Sequence, residues 1–153
     1  MLIKGTLEFS GILKLTIDCE TNGLDLPTQG LTKNQKMHVT LVHQQIFKLI
    51  EYNGKQFRKF LSKNKPEPIE VTIDIDLQSA SIYTQDDKKV LVFFVTEENQ
   101  TELDSLVQDF FASYNLQDQF NSIRSQTPDE GRRFHISYAN STGNPGDSIA
   151  VVW

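Results

Sequence analysis

The chain contains three histidines, and two of them sit in the same short pattern. Met37-His38-Val39-Thr40-Leu41 and Phe134-His135-Ile136-Ser137-Tyr138 each read apolar, histidine, β-branched, hydroxyl, large apolar. Side chains alternate faces along an extended strand, so His38 shares a face with Thr40, and His135 with Ser137. Val39 and Leu41, like Phe134, Ile136 and Tyr138, point the opposite way and read as core. An ordinary imidazole pKa of about 6.5 lets one ring take a proton while another gives one up near neutral pH. Two such rings, each beside a hydroxyl, are the parts of an acid–base site that also donates hydrogen bonds to a developing anion. The plainer alternative is a pair of half-buried sheet histidines bonded to neighbouring hydroxyls.

The elements that must position these residues follow from periodicity. Leu13, Leu15, Ile17 and Cys19 alternate with Lys14, Thr16, Asp18 and Glu20, a strand with one wet face, and residues 2–9 supply its partner across Ser10-Gly11. Thr21 to Lys36 is rich in turn formers and reads as a long loop leading to the first motif strand, about residues 36–42. Ile46, Phe47, Leu49, Ile50, Phe57, Phe60 and Leu61 then fall on one helical stripe. Asn53-Gly54 interrupts it with a hairpin signal, so the helix is expected in one piece or broken in two. Ile69, Val71, Ile73, Ile75 and Leu77 alternate as the clearest strand. Ser81–Thr84 reads as a short one, and Val90–Val95 is apolar throughout, as in a strand covered on both faces. A second helix starts near Glu97 with Leu103, Leu106, Val107, Phe110, Phe111 and Tyr114 on its buried stripe. Residues 115–131 read as irregular, the second motif strand spans about 132–139, and Ile149–Trp153 reads as a closing strand. The result is one α+β domain over residues 1–153, with two sheet-and-helix lobes, one main helix in each, and mainly antiparallel sheets.

Composition narrows the function classes. A hydrophobic share of 38% and a charged share of 23% describe a globular chain with a sizeable core. A net charge of −5 argues against binding long DNA or RNA by bulk electrostatics, while leaving room for a small phosphorylated ligand in a local pocket. The single cysteine, Cys19, excludes an internal disulfide framework and a cysteine-rich zinc site. No apolar run reaches membrane-spanning length and no signal peptide is evident, so a cytoplasmic location without membrane association is expected. No third histidine accompanies the pair and hydroxyls are poor zinc ligands, so neither metal nor cofactor is expected.

His-x-Thr followed by His-x-Ser, each on a strand and one in each half of a small α+β protein, resembles the two-histidine (2H) phosphoesterases, the LigT-like or cyclic phosphodiesterase family. The matching residues are His38-Val39-Thr40-Leu41 and His135-Ile136-Ser137-Tyr138. The resemblance implies a bilobal fold around a central groove. It further implies metal-independent hydrolysis of 2′,3′-cyclic phosphates or of small cyclic or 2′-5′-linked nucleotides, or RNA end processing. His38 and His135 would then be catalytic, and Thr40 and Ser137 would bind the phosphate; the residues leave open which histidine is base and which acid, and His38 as base with His135 as acid is the order taken as the expectation. The expected partner is a small nucleotide or RNA terminus as substrate, and the protein is expected to be a monomer.

Secondary candidates surround this set. Lys36, Arg132 and Arg133 precede the motifs and could attract an anion; Arg133 has the parity of His135. Tyr138 could contact substrate, although its parity sides with the core, and Tyr83 and Trp153 are further stacking candidates. Thr142-Gly143-Asn144-Pro145-Gly146 could present backbone N–H groups to phosphate. His43 has the wrong parity and reads as a helix-start surface residue, and Asp74 and Asp76 read as solvated. Against the phosphodiesterase stand a non-catalytic nucleotide or RNA-end binding module on the same fold, and an unrelated α+β interaction domain.

Overall fold

Alternation near the N-terminus resolves into β1 (Leu2–Phe9) and β2 (Leu13–Ile17), paired antiparallel in the structure, a computed structural model that describes residues 1–127 and 133–144. Gly11, at φ +80°, supplies the left-handed backbone that the turn between them needs. A single helical turn, α1 (Cys19–Asn22), follows, with Asp18 capping it by accepting from the N–H groups of Glu20 and Thr21. The loop then runs to β3 (Thr32–Lys33) and the first motif strand, β4 (Met37–Val42). Lys33 Nζ ties the loop together by donating to the Leu24 carbonyl.

The stripe over residues 46–61 is divided more thoroughly than a broken helix. After α2 (Gln44–Phe47) comes a hairpin of β5 (Glu51–Tyr52) and β6 (Lys55–Gln56), then α3 (Phe57–Lys63). Asn53 and Gly54 both have positive φ, +52° and +77°, as the tight hairpin turn demands, so the local turn chemistry overrides helical continuity. β7 (Ile69–Asp74) leads through a 3₁₀ turn at Leu77–Ser79 to the hairpin β8 (Ser81–Gln85) and β9 (Lys88–Phe94). The long helix α4 (Glu97–Ala112) starts at a Thr96 cap. α5 (Gln117–Arg124) occupies part of the segment expected to be irregular: Phe120 stacks on Phe111 at 4.1 Å and docks it. The second motif strand is β10 (His135–Asn140). The expected closing strand at 149–153 lies outside the described residues.

The protein is α+β, but the two expected sheets are one. Seven strands run β7-β1-β2-β4-β10-β9-β8, β3 adds an eighth beside β10, and every pairing is antiparallel. The halves join because the two motif strands pair with each other, Ile136 opposite Val39, so neither half leaves a bare edge at the centre. Five helices are present among the described residues, of which α4 is the longest. None is long and apolar enough to cross a membrane.

One face of the sheet is the core. Leu13, Leu15, Ile17, Val39, Leu41, Leu91, Phe93, Ile136 and Tyr138 cluster there with Phe47, Phe57, Leu61, Leu103, Phe111 and Phe120 from the helices. Phe57, fully buried, touches the rings of Phe47, Tyr52, Phe60, Phe110, Phe111 and Tyr114, which locks α3 to α4. Phe57→Ala is expected to cost about 3–5 kcal/mol, read as a lowered denaturation midpoint at unchanged slope.

Candidate active site

The register at the seam decides where the motif side chains meet. With Ile136 opposite Val39, stepping one residue either way sets His38 opposite Ser137 and Thr40 opposite His135. Each histidine therefore faces the hydroxyl of the other motif, and all four lie on the face turned away from the core. Directly opposed residues have Cβ atoms about 4.5–5.5 Å apart, and the diagonal pair His38 and His135 about 7–8 Å. Val39 and Ile136, both wholly buried, hold the seam down from the other side. His38, Thr40 and Ser137 are half-buried, and His135 is buried at 8% exposure.

His135 is the better constrained of the two rings. Its Nδ1 lies 3.0 Å from the Arg133 carbonyl oxygen. A carbonyl only accepts, so Nδ1 carries the proton. The ring packs against Phe94, its cross-strand partner on β9, at 5.8 Å. The backbone around it is held by two amide side chains that no periodicity marks. Gln100 on α4 accepts from the Phe134 N–H at 2.7 Å and donates to the Phe134 carbonyl at 2.8 Å. Asn34, 2% exposed, donates through Nδ2 to the Ser137 carbonyl at 2.8 Å, and its N–H donates to the Tyr138 carbonyl at 2.9 Å. Their only sequence signal is weak: amide residues at a helix start and at the end of a turn-rich loop.

The motif face continues onto the flanking strands with two different characters. On β2, Thr16 lies opposite His38 and Lys14 opposite Thr40, and the Thr16 hydroxyl donates to Glu8 Oε1 on β1 at 2.6 Å. On β9 and β8 the same face is apolar: Val90, Val92 and Phe94 form a second cluster with Tyr83 packed against it. The motif residues sit on the border between a polar and an apolar half.

Among the secondary candidates, Arg133 is close to the site. Its guanidinium lies 4.3 Å over the Phe94 ring, and Nη2 is 3.4 Å from Glu97 Oε1. Lys36 is exposed, one residue before β4. Tyr138 must be withdrawn as a substrate contact. Alternation turns Tyr138 to the core and a bulge between Ser137 and Ala139 turns Ala139 there as well; the wholly buried tyrosine accepts from the Leu26 N–H at 2.7 Å and meets Phe93 edge-on. Among the described residues of the loop after β10, the N–H groups expected to face phosphate are engaged within the loop, that of Asn144 by the Thr142 hydroxyl at 3.2 Å. Those of Thr142 and Gly143 donate to Asn140 Oδ1 at 3.1 and 2.6 Å. Arg132, Pro145, Gly146 and Trp153 lie outside the described residues. His43 flanks the start of α2, Asp76 caps the 3₁₀ turn, and Asp74 accepts from the Met1 amine at 3.0 Å.

Cys19 and Tyr114 titrate away from the site. Burial pushes the Cys19 thiol up, with the Lys33 ammonium opposing it, and burial likewise raises Tyr114. No family model, curated protein or solved structure matches the chain.

Gln100→Leu removes both of its bonds to the Phe134 backbone; the carbonyl keeps the Val95 N–H at 3.2 Å, while the N–H loses the partner it has. The expected loss is about 1–3 kcal/mol in chemical denaturation, with amide exchange accelerated at His135 relative to the β1–β2 hairpin.

Proposed function

We propose that the chain is a metal-independent phosphodiesterase of the two-histidine type, hydrolysing 2′,3′-cyclic phosphates or small cyclic or 2′-5′-linked nucleotides. The observation that carries this reading is the reciprocal register at the seam, which gathers two imidazoles and two hydroxyls on one face from motifs far apart in sequence. The halves β7-β1-β2-β4 and β10-β9-β8 are then the two lobes, meeting at the strands that bear the chemistry.

In this mechanism the phosphate sits between the diagonal histidines. His38 takes a proton from water as its oxygen attacks phosphorus in line. The bond from phosphorus to the departing ribose oxygen breaks, and His135 gives that oxygen its proton from Nε2. Water is consumed, a phosphomonoester forms, and the histidines end with their protonation exchanged. Thr40 and Ser137 donate to the non-bridging oxygens, whose charge grows as the five-coordinate state forms. The Nδ1 bond to the Arg133 carbonyl holds the His135 ring in the tautomer that this role needs.

Incubation with a nucleoside 2′,3′-cyclic phosphate and with a cyclic dinucleotide, in excess EDTA, tests the reading. Turnover is expected for at least one, reduced about 10²–10⁴-fold in both His38→Ala and His135→Ala. Thr40→Ala and Ser137→Ala should each lose about 10²–10³-fold in kcat. Ligand binding without turnover would support a non-catalytic binding module instead, and neither binding nor turnover would contradict both.

The pH profile of kcat/KM should be bell-shaped. Below the optimum the rate falls because the base is already protonated; above it the rate falls because the acid has lost its proton. Each limb should disappear from the residual activity of the corresponding histidine variant. A profile flat from pH 5 to 9 would exclude two-imidazole chemistry.

A further inference from the structure

The row of side chains that holds Thr40 and His135 extends beyond the motif strands. Lys14 lies directly opposite Thr40 on β2, and Glu8 lies opposite Lys14 on β1. Lys14 is half-buried, and among the described residues it makes no ion pair or hydrogen bond. Shielding an ammonium from water without a partner is unfavourable, and the neighbouring carboxylate is engaged elsewhere: Glu8 accepts the Thr16 hydroxyl. Arg133, another cation near the site, already stacks on Phe94 and faces Glu97.

We propose that Lys14 is a further phosphate-binding residue, reaching over Thr40 to the same non-bridging oxygen. This rests on the proposed phosphate site and extends it from four residues to five. Cβ atoms of directly opposed residues lie about 4.5–5.5 Å apart, well within the reach of a four-carbon stem ending in a compact charge. The chemistry calls for such a group. The five-coordinate state carries two negative charges on its non-bridging oxygens, and two hydroxyls supply dipoles but no full charge. An ammonium there stabilises the transition state more than the singly charged diester, so its loss should lower kcat as well as weaken binding. Glu8, one strand further along the row, opposes anion binding and disfavours a second phosphate on that side.

Three variants of the full chain test this: Lys14→Met, which keeps the stem; Lys14→Arg, which keeps the charge; and Glu8→Gln. Two readings are taken, the Kd for orthovanadate by calorimetry, and kcat and KM on a nucleoside 2′,3′-cyclic phosphate. Lys14→Met should weaken vanadate binding about 10-fold or more and lower kcat, while Lys14→Arg recovers most of both. Glu8→Gln should tighten vanadate binding. An unfolding midpoint for Lys14→Met equal to wild type shows that the loss is not structural. Vanadate affinity and kcat within about 2-fold of wild type in Lys14→Met overturn the assignment and leave the two-histidine reading standing. Vanadate binding that depends on Lys14 in a protein without turnover supports the residue and contradicts the enzyme. A wild-type chain that neither binds vanadate nor turns over contradicts both.

Discussion

The antiparallel contact between β4 and β10 is the constraint on which the rest depends. Val39 and Ile136, opposite each other and wholly buried, fix a register in which a slip of either strand by one residue would turn that strand's motif side chains into the core. That same contact joins two half-sheets into one and leaves neither with an open central edge. Burial of the seam's apolar side thus sets the geometry of its polar side. The candidate chemistry is a consequence of core packing more than of any local loop.

The surroundings of the seam serve the same end. β10 is held from α4 by Gln100 and from the long loop by Asn34, so the backbone on both sides of His135 and Ser137 has fixed partners. Alternation then sends Tyr138 inward to anchor Leu26, and the bulge after Ser137 turns Ala139 inward beside it. In this way one strand presents two side chains to the open face and keeps its large aromatic residue in the core. The aromatic cluster around Phe57 and Phe111 backs this arrangement from the helical layer.

Much of this was legible in the chain. Period-two alternation located β2 and β7, the Ser10-Gly11 turn pointed to β1 as the partner of β2, continuous apolar character located β9, and motif parity alone separated His38, Thr40, His135 and Ser137 from Val39 and Ile136. Parity also sided Tyr138 with the core. What the sequence did not reveal are features made by distant contacts. Gln100 and Phe134 meet across the packed interface of α4, and Lys14 acquires significance only once β2 lies beside β4. α5 carries too few apolar residues for a stripe and is held by the Phe120–Phe111 stack. At Asn53-Gly54 two local signals competed, and the dipeptide's ease with positive φ decided for the hairpin. The fusion of two sheets into one depends on a pairing between residues far apart in sequence, which periodicity does not encode.

The central claim is that both motif histidines flank one phosphate. With three histidines in the chain, imidazole ¹⁵N resonances titrated with a nucleoside 2′-monophosphate read this directly, and His43 serves as an internal reference. The His38 and His135 signals are expected to shift together, with a single shared Kd, while His43 stays in place. A shift of only one motif histidine, or of neither, would contradict the claim.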